Sequence, residues 1–495
     1  MNSDSVILAI DLGTTGNRTI AFTPSGTIAA QSYRKLTQHY PQPGWVEHNP
    51  IELYQTCKET IEEVIAAVGI ENIHAAGITN QRETTIIWER SNGRPVYPAI
   101  VWQDRRTAPE CATFTDAKNM VKEKTGLIVD PYFSATKIAW ILDKVDPKRK
   151  RCTRGELLFG TPETWVLWNL TGGAIHATEP SNASRTMLYN IITQQWDDEL
   201  LKLFRIPFTI LPTVYDSDSL FGATEFTLFG KNFPIHGIAG DQQASLFGQL
   251  GWDSNTVKTT YGTGIFMLTN TGETAATTDN LITTVAWKRN KTLHYATEGS
   301  LFMGGASIEW LQKNLGIIST PGETGSETIA QTDSDGVFFI PAFQGLGAPY
   351  WKPDARAQLI GMSLKADKST LIRAAVESMA FQVRDIIEAM KDADIPLPQQ
   401  IRADGGASRN DVLMQFQADL LGIPVVCPAL SETTAYGIAG IAGIASGFWT
   451  DDSFASTVSE TKHYTPAFAT DNNPLDEKYG QWKKAVGQCL LWSEK

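Results

Sequence analysis

The sequence predicts an α/β fold that is built as two related halves. A strand–turn–strand segment stands at the head of each half, "VILAIDLGTTGNRTIAF" from residue 6 and "TVKTTYGTGIFMLTN" from residue 256. Helical patterns follow both segments, and a chain of 495 residues is too long for one compact core. We therefore expect two domains of one duplicated architecture, residues 1–251 and 252–495, with the boundary near Gly251.

The strands of these two segments are recognised by their apolar and β-branched residues. In the first, Val6–Ile10 is apolar throughout and predicts a buried strand, while Arg18–Phe22 alternates and predicts the returning strand. In the second, β-branched residues flank a tight turn at residues 262–264, "GTG". The likeness between the segments is one of topology, because their residues do not align one by one.

Three segments carry helix signals. "GTPETWVLWNLTGG" has Thr161 as an N-cap, Pro162 at the first helical position and the glycine stop 172–173. "SRNDVLMQFQADLLG" has apolar residues at helical spacing and ends at Gly422. The small-residue run 435–449, "AYGIAGIAGIASGFW", is too short for a membrane span and predicts an internal helix that packs closely against a sheet or another helix.

The composition is that of an ordinary globular protein with an acidic surface. Hydrophobic residues make up 42% of the chain, charged residues 19%, and the formal net charge is −12. A negative charge of this size argues against general binding to nucleic acid or to an anionic membrane. It leaves a phosphorylated ligand open, because backbone N–H groups can bind phosphate inside an acidic protein.

The cysteines, the histidines and the N-terminus give no sign of a secreted or zinc-binding protein. The five cysteines are too scattered for a C-x-x-C pair, and the seven histidines form no H-E-x-x-H motif. The N-terminus has no basic leader, and its apolar run stops at Asp11. We expect reduced thiols in a cytoplasmic protein.

The turn "DLGTTGNR", residues 11–18, has the composition of a phosphate loop. Glycine and threonine present backbone N–H groups and hydroxyls to an anion, and Arg18 can offset phosphate charge. Asp11 can hold a magnesium ion through its waters. A plain β-hairpin with a polar turn would be favoured if this turn stood alone, and the motif is not a Walker A loop.

Asp241 in "GIAGDQQASLFGQ" follows a short apolar run and precedes a helical pattern. It can serve as a helix N-cap, or as a carboxylate at a strand end that accepts a proton from a substrate hydroxyl in phosphoryl transfer. The local sequence favours neither role, and the two do not exclude each other.

Three glycine pairs in the second half permit close approach of the backbone to a nucleotide. They lie in "TYGTGIF" at 260–266, "GGASIEW" at 304–310 and "ADGGASRN" at 403–410. With 40 glycines in the chain, one such pair is weak evidence. Three pairs together with the loop in the first half predict a nucleotide held between two domains.

The segment "GITNQRETTIIW", residues 77–88, sets the neighbouring charges Arg82 and Glu83 between two apolar runs. Such a pair is either a structural ion pair or a clamp for a polar ligand, and locally the ion pair is favoured. Adjacent residues of a straight strand point to opposite faces, so a shared ligand requires a bend at residues 81–84.

Ten blocks of the chain resemble those of the glycerol kinases, a group of sugar and polyol kinases. These kinases share the fold of actin, hexokinase and the heat-shock chaperone ATPases. That fold consists of two ribonuclease H-like domains around a cleft. The blocks run in the family's order from about residue 6 to residue 449: "DLGTTGNR", "PGWVEHNP", "GITNQRETTIIW", "DPYFSATK", "ELLFGTPETW", "NASRTMLYN", "GIAGDQQASLFGQL", "YGTGIFML", "PAFQGLGAPYW" and "LMQFQADLLG".

The resemblance implies a role for each site residue. Asp241, Asp11 and Arg18 would be catalytic, with Asp241 as general base and Asp11 as the magnesium ligand. The implied glycerol site consists of Arg82, Glu83, Trp102, Tyr132, Asp241, Gln242 and Phe266. The implied nucleotide site consists of Thr14, Thr15, Gly16, Arg18, Gly262, Thr263, Gly305, Glu309, Gly406, Ala407 and Asn410. Gly16 stands where many members have a serine, and Glu309 where a glutamine is common.

The resemblance therefore implies ATP-dependent phosphorylation of glycerol to sn-glycerol 3-phosphate, with Mg²⁺ as cofactor. The partners it implies are glycerol, ATP and ADP, and further copies of the chain in a dimer or tetramer. Nucleic acid and membrane are not expected as partners. Two alternatives stay open: a kinase for another polyol or a ketose, and a regulator that binds nucleotide or polyol without catalysis.

Overall fold

The structure is a computed structural model, which describes residues 4–254, 256–276, 278–325, 333–470 and 473–493. Fourteen of its strands precede residue 251: β1 Val6–Leu12, β2 Gly16–Phe22, β3 Ile28–Lys35, β4 Glu47–His48, β5 Ile73–Asn80, β6 Ile86–Glu89, β7 Ala99–Ile100, β8 Leu157–Gly160, β9 Ala177–Thr178, β10 Tyr189–Asn190, β11 Gln195–Trp196, β12 Thr213–Val214, β13 Leu220–Ala223 and β14 Pro234–Gly240. Nine described strands follow it: β15 Thr256–Tyr261, β16 Ile265–Gly272, β17 Ile282–Arg289, β18 Thr292–Leu301, β19 Phe338–Ile340, β20 Gln358–Ile360, β21 Gln400–Asp404, β22 Val425–Pro428 and β23 Glu460–Tyr464.

The described helices lie between these strands. They are α1 Pro50–Val68, α2 Ala108–Ala112, α3 Lys118–Thr125, α4 Ser134–Val145, α5 Lys150–Thr153, α6 Pro162–Leu170, α7 Pro180–Ala183, α8 Asp198–Phe204, α9 Phe226–Phe229, α10 Asp241–Gly248, α11 Gly305–Lys313, α12 Lys368–Asp392, α13 Asp411–Leu421, α14 Thr433–Ala445, α15 Asp451–Thr457 and α16 Leu475–Trp492. Among the described residues, no helix combines the length and the apolar character needed to cross a bilayer.

Each half contains one large mixed sheet, and the two sheets share a core topology. The first has the order β3-β2-β1-β5-β14-β13, with antiparallel pairs from β3 to β1 and parallel pairs from β1 to β14. The second has the order β17-β18-β16-β15-β21-β22-β23, in which β18-β16-β15-β21-β22 repeats that pattern of directions. The predicted α/β class and the predicted duplication are therefore confirmed.

The predicted helices are present where the sequence signals placed them. Helix α6 begins at Pro162 after the N-cap Thr161, and Gly172 and Gly173 follow its end with positive φ angles. Helix α13 ends at Leu421, and Gly422 caps it in the left-handed conformation, φ 68°. The strand ends differ slightly from the prediction: β1 extends to Leu12 and β2 begins at Gly16, which leaves a shorter turn of residues 13–15.

The small-residue helix α14 packs closely against sheets and another helix, as its composition predicts, and it lies between the two halves. A buried apolar cluster joins Ile7 and Phe22 of the first sheet, Leu268 of the second and Ile438 and Ile441 of α14. An ideal Cβ on Gly437 would lie 1.7 Å from the carbonyl oxygen of Ala244 in α10, and one on Gly77 would lie 2.8 Å from that of Ile438. Only glycine permits these approaches, so α14 holds the two sheets and α10 in a fixed relation.

Candidate active site

The candidate site lies where the carboxyl ends of the parallel strands meet, the usual ligand position in such sheets. Leu12 of β1 and Gly240 of β14 both pair with Asn80 of β5, so Asp11, Arg82 and Asp241 lie at one edge of the first sheet. The second sheet presents the corresponding edge at residues 261–262 and 404–406, after β15 and β21.

Arg82 and Glu83 lie in the predicted bend between β5 and β6. Glu83 has a φ of 61°, a left-handed conformation that is uncommon for a residue with a side chain, and it turns the chain so that both side chains reach the same interior. Both are fully buried. They are weakly paired with each other, because Arg82 Nε lies 4.0 Å from Glu83 Oε1.

Each of these two residues has a stronger partner from elsewhere in the chain. Arg82 Nη1 donates to Glu298 Oε2 at 2.6 Å, and Arg185 Nε donates to Glu83 Oε1 at 2.5 Å. Arg185 Nη2 also donates to Glu298 Oε1 at 2.9 Å, which closes a ring of four buried charges. The Arg82–Glu83 ion pair that the local sequence favours is thus the longest contact of this ring, and each of the two residues has a closer partner elsewhere in the chain.

The two carboxylates of this ring are in different electrostatic states. Burial by itself would raise the pKa of Glu298, but Arg185 and Arg82 beside it hold that pKa down at about 2. For Glu83 burial is dominant, and it raises the pKa despite the opposing effect of Arg185 and Arg82. Glu298 is thus an anion held by two cations, whereas burial disfavours the charged form of Glu83.

Three aromatic rings cover the site. Trp102 packs edge-on against Tyr132 at a centroid distance of 5.7 Å and against Phe266 of β16 at 6.1 Å. Tyr132 Oη lies 3.5 Å from Arg82 Nη2. Trp102 Nε1 donates to Thr14 Oγ1 at 2.9 Å, so the turn 13–15 and the aromatic cover are directly connected. Rings of this kind can shield the carbon chain of a small polyol.

Lys137 of α4 holds the segment that carries Tyr132. Its buried ammonium donates to the carbonyl oxygens of Pro131 at 2.5 Å and Tyr132 at 2.6 Å. Burial lowers the pKa of Lys137 to about 8, against the nearby carboxylates of Glu83 and Asp104. This lysine is the last residue of the block "DPYFSATK", and no local pattern predicts its role.

Asp241 is the first residue of α10 and is half-buried. Its Oδ1 accepts from the backbone N–H of Gln242 at 2.7 Å and lies 3.2 Å from Arg82 Nε. Among the described residues, no donor is recorded for Oδ2. Gln242 in turn accepts a hydrogen bond from the buried ammonium of Lys258 in β15. Asp241 therefore combines a structural position at a helix start with a free carboxylate oxygen.

Asp11 lies beside Asp241 at the same edge. Burial, together with the negative charge of Asp241, raises the pKa of Asp11 to about 7, and Arg18 opposes this shift. A buried carboxylate beside a second carboxylate is a place where a divalent cation is favoured. Within the described ranges, no group of three or more His, Cys, Asp or Glu side chains forms a metal cluster, so a bound Mg²⁺ would take its other ligands from water or substrate.

Arg18 points to a partner that the sequence did not reveal. It forms an ion pair with Glu432, the residue before α14, and its guanidinium lies over the ring of Tyr33 at 5.3 Å. Asp11 and Arg18 face each other across the β1–β2 pair. Arg18 is thus near the turn 13–15, but its guanidinium is paired with Glu432 of the other half.

The glycine loops of the second half are joined by backbone hydrogen bonds. Gly305 N donates to Gly262 O at 2.8 Å, and Gly304 N donates to Thr263 O at 2.8 Å. An ideal Cβ on Gly406 would meet nothing within 4 Å, so open space lies beside this backbone. Gly405, φ 90°, is the glycine that the fold itself requires, because its Cβ would lie 2.6 Å from Tyr261 O. The exposed backbone at Gly406 is thus open to close approach by a ligand.

The other predicted nucleotide residues have mixed surroundings. Thr15 is exposed at the tip of its turn, and Ala407 is half-buried beside the empty space. Asn410 caps α13, accepting from the N–H groups of Val412 and Leu413, and Glu309 is exposed and paired with Lys313 on the surface of α11. The glycine loops at 262–263 and 304–305 therefore lie close together, whereas the side chain of Asn410 caps α13 and that of Glu309 is paired with Lys313.

Besides Lys137, three charged residues near the site were not predicted from the sequence: Arg185, Glu298 and Lys258. Each is fully buried. Glu298 interrupts the apolar strand "HYATEGSLF", 294–302, and a lone charge in such a strand is a signal that could have found it, since buried charges need partners.

Comparisons with known proteins show the family of the chain. The N-terminal domain model of the FGGY family of carbohydrate kinases matches residues 6–248, and the C-terminal domain model matches residues 257–446. The chain is 47% identical over 496 residues to glycerol kinase 2 of Thermotoga maritima, with 99% of both chains covered. It is 48% identical to a glycerol kinase of Rhodopirellula baltica, covering 99% of this chain and 92% of that one.

A solved glycerol kinase structure is similar to this chain over nearly the full length of both. The glycerol kinase of Plasmodium falciparum with ADP superposes with a TM-score of 0.92 at 34% identity, over 98% of each chain. A xylulose kinase of Lactobacillus acidophilus matches with a TM-score of 0.85 at 20% identity, which shows the shared fold alone. The chain belongs to the FGGY family of carbohydrate kinases, with glycerol kinases among its curated relatives.

Proposed function

We propose that the protein is a glycerol kinase, which transfers the γ-phosphoryl group of ATP to a terminal hydroxyl of glycerol and releases sn-glycerol 3-phosphate and ADP. The observation that carries the proposal is the arrangement of Arg82, Glu83 and Asp241 at one strand edge under an aromatic cover. The named activity of relatives 47–48% identical over nearly the full chain supports it.

The substrate selection is assigned to Arg82 and Glu83. Among the described residues, Arg82 Nη2 makes one hydrogen bond, the long contact to Tyr132 Oη at 3.5 Å, so it has donor capacity left. Glu83 Oε2 receives no recorded hydrogen bond among the described residues. A donor and an acceptor side by side suit adjacent hydroxyls of a polyol, each of which both donates and accepts. Trp102, Tyr132 and Phe266 would cover its carbon chain, and Gln242 would line the same side.

The proton transfer is assigned to Asp241. Arg82 Nε and the N–H of Gln242 hold its Oδ1, so Oδ2 is free to accept the proton of the attacking hydroxyl. The hydroxyl oxygen then forms the new bond to the γ-phosphorus as the bond to the β,γ-bridging oxygen of ATP breaks. Closure of the two halves around the site would exclude water and limit ATP hydrolysis.

The phosphates of ATP are assigned to the two loops. Thr14, Thr15 and Gly16 of the first half and Gly262 and Thr263 of the second present backbone N–H groups to them. A Mg²⁺ ion held by Asp11 would neutralise phosphate charge. The nucleoside would lie against Gly305, Gly406 and Ala407.

The division of the chain and the setting of the protein are part of the proposal. We place the domain boundary near Gly251, in the interval between residues 248 and 257 that neither family match covers. A cytoplasmic homo-oligomer, a dimer or tetramer, is the arrangement that the family resemblance implies.

The decisive experiment is glycerol-dependent ADP formation by the purified protein with MgATP, with chiral analysis of the product. We expect sn-glycerol 3-phosphate and no turnover without a polyol. A panel of polyols and ketoses at equal concentrations is the control for specificity, and a clear preference for a pentulose would overturn the substrate assignment. No ADP release with any member of the panel would overturn the proposal of an enzyme.

A further inference from the structure

Glu298 is the one member of the buried charge ring that the second half of the chain supplies. It lies on β18, whereas Arg82, Glu83 and Arg185 all precede residue 251. Its side chain is inaccessible to solvent, and so is that of Arg185. The contact Arg82 Nη1–Glu298 Oε2, 2.6 Å, therefore joins the predicted substrate residues to the other half of the molecule.

The ring uses every oxygen of Glu298. Oε2 accepts from Arg82, while Oε1 accepts from Arg185 Nη2 at 2.9 Å and from Ser300 Oγ at 2.8 Å. Arg185 gives its Nε to Glu83 and its Nη2 to Glu298, and its guanidinium lies 5.4 Å from the ring centre of Tyr132. One guanidinium thus sets the positions of both carboxylates and of one aromatic cover residue.

These contacts determine which atoms of Arg82 and Glu83 remain available to a ligand. With Arg82 Nη1 bound to Glu298 and Glu83 Oε1 bound to Arg185, the groups left over are Arg82 Nη2 and Glu83 Oε2. These are the donor and the acceptor that a polyol would need. Arg82 Nε and Glu83 Oε1 are only 4.0 Å apart, so without Glu298 or Arg185 the two side chains could rotate toward each other. Arg82 Nη2 and Glu83 Oε2 would then bind each other in an internal ion pair and would not be available to a polyol.

We propose that Arg185 and Glu298 are positioning residues, which keep Arg82 and Glu83 apart and oriented for the polyol, and that Glu298 makes this orientation depend on the docking of the two halves. The inference rests on the proposed function, because it names the residues that make the same site selective. Neither residue touches the substrate in this assignment.

The alternative is a purely structural ring that stabilises the domain contact without influence on the substrate. Charge networks of this kind can be replaced without loss of stability in some proteins, so burial alone does not decide between the two. The difference between them is measurable: a positioning role changes the KM for glycerol separately from stability and from the KM for ATP.

The chain offers a matched control in Glu377 of α12. This carboxylate is also buried, and it also binds two cations and a serine: Arg373 at 2.7 Å, Lys478 at 2.7 Å and Ser334 Oγ at 3.0 Å. It lies in the second half, and none of these three partners is a residue assigned to the site. Glu377→Gln thus also removes a buried carboxylate charge that binds two cations and a serine, but it leaves the contacts of Arg82 and Glu83 intact.

The experiment compares Glu298→Gln, Glu298→Asp and Glu377→Gln in the full-length protein, by steady-state kinetics and thermal unfolding. In Glu298→Gln one amide N–H must face a guanidinium donor, so we expect the KM for glycerol to rise about 10- to 100-fold while the KM for ATP changes less than about 3-fold. Glu298→Asp restores the charge at a shorter reach and should recover part of the loss. Glu377→Gln should lower the melting temperature with the KM for glycerol unchanged.

The outcomes separate the inference from the proposed function. Normal KM for glycerol in both Glu298 variants, with a wild type that phosphorylates glycerol, would overturn the positioning role and leave the function standing. A wild type that uses another polyol would overturn the substrate, and the same kinetic comparison would be made with that polyol. If Glu298→Gln does not fold, Glu298→Asp and Ser300→Ala decide: a raised KM for glycerol supports the inference, and an unchanged one overturns it.

Discussion

The hydroxyl of Tyr33 lies in the space that a side chain at Gly16 would need. An ideal Cβ on Gly16 would lie 2.5 Å from Tyr33 Oη and 2.4 Å from the carbonyl oxygen of Arg34. Tyr33 Oη also donates to the carbonyl oxygen of Thr15 at 3.2 Å, so the tyrosine braces the turn 13–15 from outside. The residue that fills the space beside Gly16 is thus Tyr33 of β3, which pairs in register with Arg18.

This relation predicts that Gly16→Ser is harmful here. The added side chain must displace Tyr33 and press on the β3 backbone, so we expect a loss of about 1–3 kcal/mol in the free energy of unfolding. The KM for ATP should rise as the turn shifts. Tyr33→Ala in the same protein should return part of both losses, because only the backbone contact then remains. A Gly16→Ser protein with unchanged stability and a lower KM for ATP would contradict the prediction.

Asp241→Asn tests the proton transfer. The amide keeps the size of the side chain but cannot accept the proton, so we expect kcat to fall about 100- to 10,000-fold. Glycerol binding, measured by calorimetry, should change little, since the donor and the acceptor of Arg82 and Glu83 remain. Asp143→Asn, a change at an exposed carboxylate paired with Arg149, is the control. Near-normal turnover of Asp241→Asn would remove the base assignment.

Glu83→Gln tests the acceptor side of the polyol site. The carboxylate that binds Arg185 at 2.5 Å becomes a neutral amide, so both the buried pair and the acceptor for a hydroxyl weaken. We expect a rise in the KM for glycerol of at least about 10-fold and a moderate loss of stability. Glu163→Gln provides the comparison, because Glu163 is equally buried and accepts from Thr161 and Thr178. A loss of stability in Glu83→Gln with no change in KM would return this residue to a structural role.

Glu432→Gln tests whether Arg18 is held back from the phosphates. Arg18 is paired with Glu432 across the two halves, and it must leave that partner to contact ATP. Removal of the carboxylate charge should therefore lower the KM for ATP by a few-fold and leave the KM for glycerol unchanged. An increase in the KM for ATP would show that Glu432 positions Arg18 for the nucleotide.

Glu179 predicts a pH dependence of stability. Its carboxylate caps α7, accepting from the N–H groups of Ser181 and Asn182, and burial raises its pKa from 4.5 to about 7. Between these values the folded protein binds more protons than the unfolded chain, so the contribution is complete below pH 4.5 and is lost as the pH rises through about 7. The free energy of unfolding of the wild type minus that of Glu179→Gln should fall across this window in denaturant titrations. If the difference in free energy of unfolding does not change with pH, the raised pKa of Glu179 is contradicted.

Much of the fold could be predicted because its signals are local. The strand–turn–strand segments, the caps Thr161 and Gly422 and the small residues of α14 each act through neighbours in the sequence or through a period of the chain. The bend at Glu83 was predictable for a similar reason, since adjacent side chains cannot otherwise reach one ligand.

The α/β class, the duplication, the glycine loops and the residues that resemble a polyol kinase site could all be predicted from the order of residues in the chain. The partners of the charges in that site could not, because they depend on the packing of the two halves. Arg82 is bound to Glu298, Glu83 to Arg185, and Arg18 to Glu432, contacts that span 216, 102 and more than 400 residues of sequence. No local pattern specifies such pairs. A buried charge must find a counter-charge, but which one it finds depends on how the two sheets pack around α14.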